Sequence, residues 1–353
     1  MDGHEFRWID ALPDGAVLID RSDLVLAANA AALDILQTDP SALAITTIIR
    51  NPAFAPALAS AREAGRPATV DIAFHSRPQR QVSAIISPLS EGGQILVILR
   101  DLTREQAVER MRSDFIANSS HEMRTPLASI IGAIETLQGA ARDDPAAREK
   151  FLASTLAQAL RMKRLIDDLL ALNRIELNEH VRPMSKVSLA AVARQARSNL
   201  ARQAEEAGVA LELDAAGPVE VSGDADELLQ VALNLIENAI KYGGEGGRVA
   251  ISCASRDSFG ILSVTDFGRG IAEDHIPRLT ERFYRVSTKE SRARGGTGLG
   301  LAIVKHILLR HRGQLDIRST PDRGSTFTAS IPLRSEEHTS ELQSLAYLVC
   351  RLL

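Results

Sequence analysis

Three groups of residues have types and spacings that could do chemistry. His121 stands in SSHEMRTPLASI, residues 119–130, with Glu122 beside it and Thr125 one helical turn on. A neutral imidazole, with an ordinary pKa of about 6.5, is available as a nucleophile at neutral pH. Asn234 and Asn238 lie four apart in NLIENAIKY, on one face of a helix. Inward-facing amides there would be costly unless they bind something. The third group is GGTGLGLAIVKH, from Gly295, a glycine-rich loop opening onto an amphipathic helix. Backbone N–H groups at such a start bind anions, which makes a triphosphate the natural ligand. The loop lacks the G-x-x-x-x-G-K-[ST] of a P-loop and the βαβ frame of a dinucleotide site.

The elements that must position these groups follow from periodicity. On a helix of about 100° per residue, Ile116, Met123, Leu127, Ile130, Ile134 and Leu137 share one face. His121 points nearly opposite, on a ridge with Thr125, Ala128 and Gly132, small residues that would let another protein approach. Pro126 cannot donate to the carbonyl of Glu122 and crowds it, so a bend is expected. The apolar stripe continues upstream through Phe115 and Ile116, which predicts a bent continuous helix rather than one begun at the proline. After the polar stretch QGAARDDPAAR a second helix carries Leu152, Leu156, Leu160, Ile166, Leu169 and Leu170. That stripe is too broad for one partner helix, and pairing two hairpins would cover it in a dimeric four-helix bundle.

Residues 181–333 alternate strands (VALELD, VEVSGD, RVAISCAS, GILSVTDFG, GQLDIRST, STFTASIPL) with helices (ADELLQVALNLIENAIKY, GLGLAIVKHILLRH), predicting an α+β domain with helices on one face of a mixed sheet. Residues 1–103 mix short β runs and helical ones and predict a small α/β domain with an antiparallel sheet. The chain of 353 residues, 45% hydrophobic, 24% charged and with a net charge of −4, has the composition of a water-soluble globular protein without a pull toward nucleic acid. Cys253 and Cys350 match no metal or redox spacing. No apolar run approaches the roughly 20 residues of a membrane span. MDGHEFRWID lacks the features of a signal peptide, which places the chain in the cytoplasm if Met1 is the true start.

SHEMRTPL closely resembles the phospho-acceptor box of sensor histidine kinases. The resemblance implies that His121 takes a phosphoryl group, that Glu122 accepts the proton or orients the ring, and that Thr125 positions water in the reverse, phosphatase reaction. NLIENAIKY resembles the N box, which implies Mg²⁺ ligation by Asn238, Asn234 near the phosphates, and Lys241 and Tyr242 on phosphate or ribose. DFGRGI resembles the first glycine box, with Asp266 accepting from the adenine amino group and Gly268 and Gly270 letting the backbone approach. ERFYRV resembles the F box, with Phe283 packing a lid and Arg285 reaching toward phosphate. Gly296, Thr297, Gly298, Leu299 and Gly300 then form the second glycine box, and the charged stretch RVSTKESRARG before it reads as the lid. In this order the boxes resemble the Bergerat-type ATP-binding fold. ALPDGAVLIDRSDLVLAANAAALDIL, with Asp101-Leu102-Thr103 closing the last strand, resembles a PAS sensor domain.

The resemblance therefore implies a PAS-like domain (1–103), a dimerisation and phosphotransfer hairpin (104–180) and a catalytic ATP-binding domain (181–333). It implies an ATP- and Mg²⁺-dependent homodimeric kinase whose partner is the receiver domain of a separate response regulator, closest to the phosphate-regulon type. Relatives of this type are often anchored upstream, and a membrane-associated protein follows if the N-terminus is truncated. In the PAS-like region the absence of cysteine argues against a flavin adduct, and His75 alone is poor support for haem. Residues 334–353, with RSEEHTSELQS, resemble a translated sequencing adapter and stand apart as a non-native tail. Two rivals stay open: a Bergerat ATPase or serine/threonine kinase, indifferent to His121, and a scaffold that binds no ATP.

Overall fold

The computed structural model describes residues 6–41, 43–74, 79–89, 93–215, 217–286 and 296–333. His75, the lid stretch 287–295 and the tail with Cys350 lie outside the described residues. The chain divides into two compact units, Met1–Ala117 and Asn118–Leu353.

In the first unit a hairpin, β1 (Gly15–Ile19) and β2 (Val25–Ala28), leads into α1 (Ala30–Leu36), α2 (Ile45–Ile48) and α3 (Phe54–Ala64). Strands β3 (Ala68–Phe74), β4 (Arg80–Pro88) and β5 (Ile95–Asp101) complete an antiparallel sheet of order β2-β1-β5-β4-β3. Asn29 caps α1 by accepting from the Ala32 N–H, and its amide donates to the carbonyls of Ile9, Leu12 and Asp14. One buried side chain thereby fastens the N-terminal segment, the hairpin and the first helix. At the end of β5 the Asp101 carboxylate accepts from the Thr103 N–H, and the Thr103 hydroxyl accepts from the Gln81 N–H at 2.9 Å. The antiparallel sheet expected in this region is the one observed.

Helix α4 (Thr103–Gln138) runs through Pro126 without a break, as the continuing stripe predicts, and its residues from Asn118 on belong to the second unit. Asp144 caps α5 (Pro145–Leu177), accepting from Ala146 and Ala147, with Pro145 at the first helical position. Downstream come β6 (Ser185–Ser188), α6 (Leu189–Glu206), β7 (Ala210–Asp214), β8 (Glu220–Gly223), α7 (Ala225–Gly243), β9 (Arg248–Arg256), β10 (Phe259–Asp266), α8 (Gly300–Arg310), β11 (Gln314–Thr320) and β12 (Gly324–Pro332).

The main sheet has the order β11-β12-β10-β9-β7, with β7 parallel to β9 and the other pairs antiparallel, the mixed sheet expected. One expectation needs correction. VEVSGD does not join that sheet: β8 pairs with β6 in a separate two-stranded ribbon. The segment between β6 and β7, for which no element is expected from the sequence, forms α6, whose Leu189, Val192, Ala193, Ala196, Leu200 and Ala204 bury one face. Ser188 caps it. Among the described residues, no helix is long and apolar enough to cross a membrane.

Candidate active site

In the second unit a cavity of about 400 Å³ lies between α7, the end of β10 and the start of α8. That volume falls within the range of about 300–1,000 Å³ usual for small-molecule pockets. Helix α7 contributes Asn234, Glu237, Asn238, Lys241 and Tyr242 to its wall. The two asparagines are half-buried rather than sealed in the core, so their amides face the cavity and not apolar side chains. Lys241 lies 2.8 Å from Glu237, an ion pair one turn apart along the same wall.

Asp266 owes its place to strand period. Along β10 the inward positions are Gly260, Leu262, Val264 and Asp266, so a carboxylate takes the last core-facing position. It is 5% exposed, and one oxygen accepts from the Gly268 N–H at 3.0 Å. Burial pushes its pKa up, while hydrogen bonds from Gly268 and Ser325 oppose the shift. The last residue of α7 is glycine of necessity. A Cβ on Gly243 would stand 2.2 Å from the Asp266 Cβ.

Gly296, Thr297, Gly298 and Gly300 form the opposite rim, and Leu299 beside them is fully buried as the anchor of the loop. Gly298 has φ +76°, a conformation that favours glycine. Its carbonyl accepts from the Phe283 N–H at 2.8 Å, which joins ERFYRV to the glycine loop. Gly270, Tyr284 and Arg285 also line the cavity, whereas Gly268 and Phe283 support it from behind. His275 Nδ1 lies 2.7 Å from the Tyr284 hydroxyl and holds that ring at the wall.

His121 is exposed on α4, as its place on the helix wheel predicts, and does not line the cavity. The Thr125 hydroxyl donates to the His121 carbonyl at 3.2 Å. Glu122 links the two regions: its Oε2 is 3.0 Å from Arg161 on α5 and 3.8 Å from Arg285 at the cavity. All three side chains are largely buried, which strengthens charge pairing relative to a solvated surface.

A family model described as the His Kinase A (phospho-acceptor) domain matches residues 111–178. Another, described as the histidine kinase-, DNA gyrase B-, and HSP90-like ATPase, matches residues 223–335. The chain is 42% identical over 233 residues to the phosphate regulon sensor protein PhoR of Pseudomonas aeruginosa, covering 66% of this chain and 53% of that protein. It belongs to the sensor histidine kinases. The sensor protein SrrB of Staphylococcus aureus is 33% identical over 269 residues, covering 74% of this chain and 45% of SrrB. The chain therefore spans about half the length of the curated relatives it matches. Among solved structures, the histidine kinase AdeS of Acinetobacter baumannii is 27% identical, with a TM-score of 0.48 over 61% of this chain and 98% of that one.

Several residues of the cavity were not among the sequence candidates. Arg164, Asp167 and Asp168 reach it from α5, and Ser325 and Phe327 from β12. The α5 residues left one trace in the sequence, an acidic pair that interrupts the apolar run of LIDDLLAL.

Proposed function

We propose that this chain uses ATP to phosphorylate His121 and passes the phosphoryl group to an aspartate on the receiver domain of a response regulator. The observation that carries this reading is the Arg161–Glu122–Arg285 chain, which connects the residue beside His121 to the wall of the nucleotide cavity. In the proposed reaction an imidazole nitrogen of His121 attacks the γ-phosphorus and the bond to the bridging oxygen breaks, so ADP leaves with the electron pair. Glu122 takes the imidazole proton. The N–P bond then breaks as a receiver carboxylate takes the phosphoryl group. For the reverse, phosphatase reaction, Thr125 turns its hydroxyl from the His121 carbonyl to a water.

The cavity suits the nucleotide. Asp266 is a buried acceptor for the adenine amino group, with Gly270 beside it on the wall and Gly268 bracing it from behind. Asn234, Lys241, Tyr242, Arg285 and the loop Gly296–Gly300 face the phosphates and ribose, with Phe283 bracing the loop. Asn238 offers its side-chain oxygen to Mg²⁺, with Glu237 nearby. Among the described residues no group of three or more His, Cys, Asp or Glu could hold a metal. That fits a hard cation which takes most of its ligands from phosphate and water. When bound, Mg²⁺ would neutralise charge on the phosphates.

The exposed leucines of α5 support a homodimer through a four-helix bundle. The hairpin into helices and the Asp101–Thr103 turn support a PAS-like sensor role for the first unit. The likeness to PhoR supports the phosphate-regulon type. Incubation of the purified chain with labelled ATP tests the central claim. Acid-labile, base-stable label that vanishes in His121→Ala is expected, and acid-stable label would overturn it.

A further inference from the structure

Asp168 on α5 bonds directly to the glycine loop that rims the cavity. Its Oδ2 accepts from the Thr297 hydroxyl at 2.7 Å. The same hydroxyl oxygen accepts from the Leu299 N–H at 3.3 Å, so Thr297 stands at the turn into α8. A loop of this kind, with backbone N–H groups at a helix start, favours an anion. In the structure the anion beside it is a carboxylate of the hairpin.

A threonine hydroxyl has a single hydrogen to give. Thr297 gives it to Asp168, and a phosphate oxygen can receive it only when Asp168 lets go. Charge acts in the same direction, because Asp167, Glu237 and Asp266 also line the cavity and a triphosphate would enter against four carboxylates. The cations on the wall, Arg164, Lys241, Arg269 and Arg285, offset that charge without freeing the hydroxyl. Burial pushes the Asp168 pKa up and the Thr297 bond opposes it, so the carboxylate is held against its own desolvation. Such a contact is suited to exchange.

We propose that Asp168 is a residue of the nucleotide site contributed by the helical hairpin: it stands in for a phosphate on Thr297 and is displaced by ATP. The proposal rests on reading the cavity as the ATP site. By linkage, whatever affinity ATP loses in breaking this bond, the hairpin loses in its hold on the catalytic domain when ATP is present. Nucleotide occupancy is thereby communicated to the helix that packs beside His121.

Titration of the full chain with a non-hydrolysable ATP analogue and Mg²⁺ tests this, using wild type, Asp168→Asn and Asp167→Asn. Asp168→Asn keeps an oxygen that can accept from Thr297 but loses the charge that strengthens that bond, and should bind about tenfold more tightly. Asp167→Asn removes the same charge from the same wall but weakens no bond to Thr297, and should change affinity less than about threefold. Equal tightening by both variants would reduce the effect to field strength and overturn the latch, as would unchanged or weaker binding in Asp168→Asn. A chain that binds no analogue in any form overturns the ATP site itself, which separates the two failures. A second measurement needs no variant: amide exchange in residues 164–172 of wild type should quicken with the analogue, and slowing would contradict displacement.

Discussion

Helices α5 and α7 are both long and both carry a repeating apolar face, yet they end in opposite situations. On α7, Leu228, Val231, Leu235 and Ile236 are at most 1% exposed, closed over by the sheet and by α6 and α8. On α5, Leu152, Leu156 and Leu160 are 55%, 61% and 51% exposed, although Leu165 and Leu172 lower down are buried. The catalytic domain completes its own core, and the upper hairpin leaves its core unfinished in a single chain. Chemistry follows the same division. The groups proposed for the nucleotide sit in a cavity built by close backbone approach, whereas His121 stands exposed on its helix.

The largest effect should come from breaking the unfinished core. Leu156→Glu with Leu160→Glu places charges where a partner hairpin would pack, and a buried unpaired charge is among the costliest substitutions. Sedimentation should show the dimer replaced by monomer while nucleotide binding persists. A dimer that survives would mean that another surface holds the copies together.

Two neighbouring glycines probe the finished core. Gly243→Ala drives a methyl into Asp266, at 2.2 Å from its Cβ, whereas a Cβ on Gly244 meets only Val209 at 3.7 Å. The first change should cost about 3 kcal/mol in urea unfolding and abolish ATP binding. Gly244→Ala should leave both within about 0.5 kcal/mol and twofold of wild type. Equal tolerance of the two would mean that the close approach is not needed.

Next in size is a dependence on pH carried by the catalytic domain. His311 is fully buried, with Nδ1 2.8 Å from the Ile307 carbonyl and Nε2 accepting from the Asp224 N–H at 3.0 Å. That pattern is the neutral tautomer. Burial pushes its pKa down, and His306 is shifted the same way. In the unfolded chain histidine takes its proton at a pH of about 6.5, while the fold refuses it until the pH is lower. Stability is therefore kept above that pH and lost as pH falls below it, by at most about 1.4 kcal/mol per pH unit for each histidine. The raised carboxyls of Asp168, Asp266 and Glu227 act with the opposite sign in the more acid range, so the difference between wild type and His311→Gln isolates the effect. Denaturant melts between pH 7.5 and about 5.5 should converge as pH falls. Parallel curves would show that His311 takes its proton in the fold.

What could be read from the sequence was what repeats locally. The two-residue alternation of β10 carries Asp266 inward, the four-residue step pairs Asn234 with Asn238, and the glycine run announces a helix start. Helix α6 escaped because its buried face is largely alanine, a weak signal among arginines. The partner of β8 escaped because pairing with β6 is set by tertiary contact, which no local period encodes. Asp168 escaped for the same reason: nothing in LIDDLLAL says that one of two adjacent carboxylates meets a loop well over a hundred residues away.

The smallest effect separates the open ridge of the hairpin from the closed cradle of the catalytic domain. Gly132 lies three turns past His121, within about 20° of it around α4, and a Cβ there meets nothing within 4 Å. Glycine inside a helix costs about 1 kcal/mol relative to alanine, so Gly132→Ala should raise the stability of the hairpin by about that amount. The ATP cavity is untouched, and labelling of His121 should proceed at the wild-type rate. The added methyl stands instead on the face where a receiver domain would approach, and transfer from phosphorylated His121 to the receiver should slow by a few fold. A stabilised variant that autophosphorylates and transfers at wild-type rates would remove this ridge as the docking surface and leave Gly132 as an ordinary weak point in a long helix.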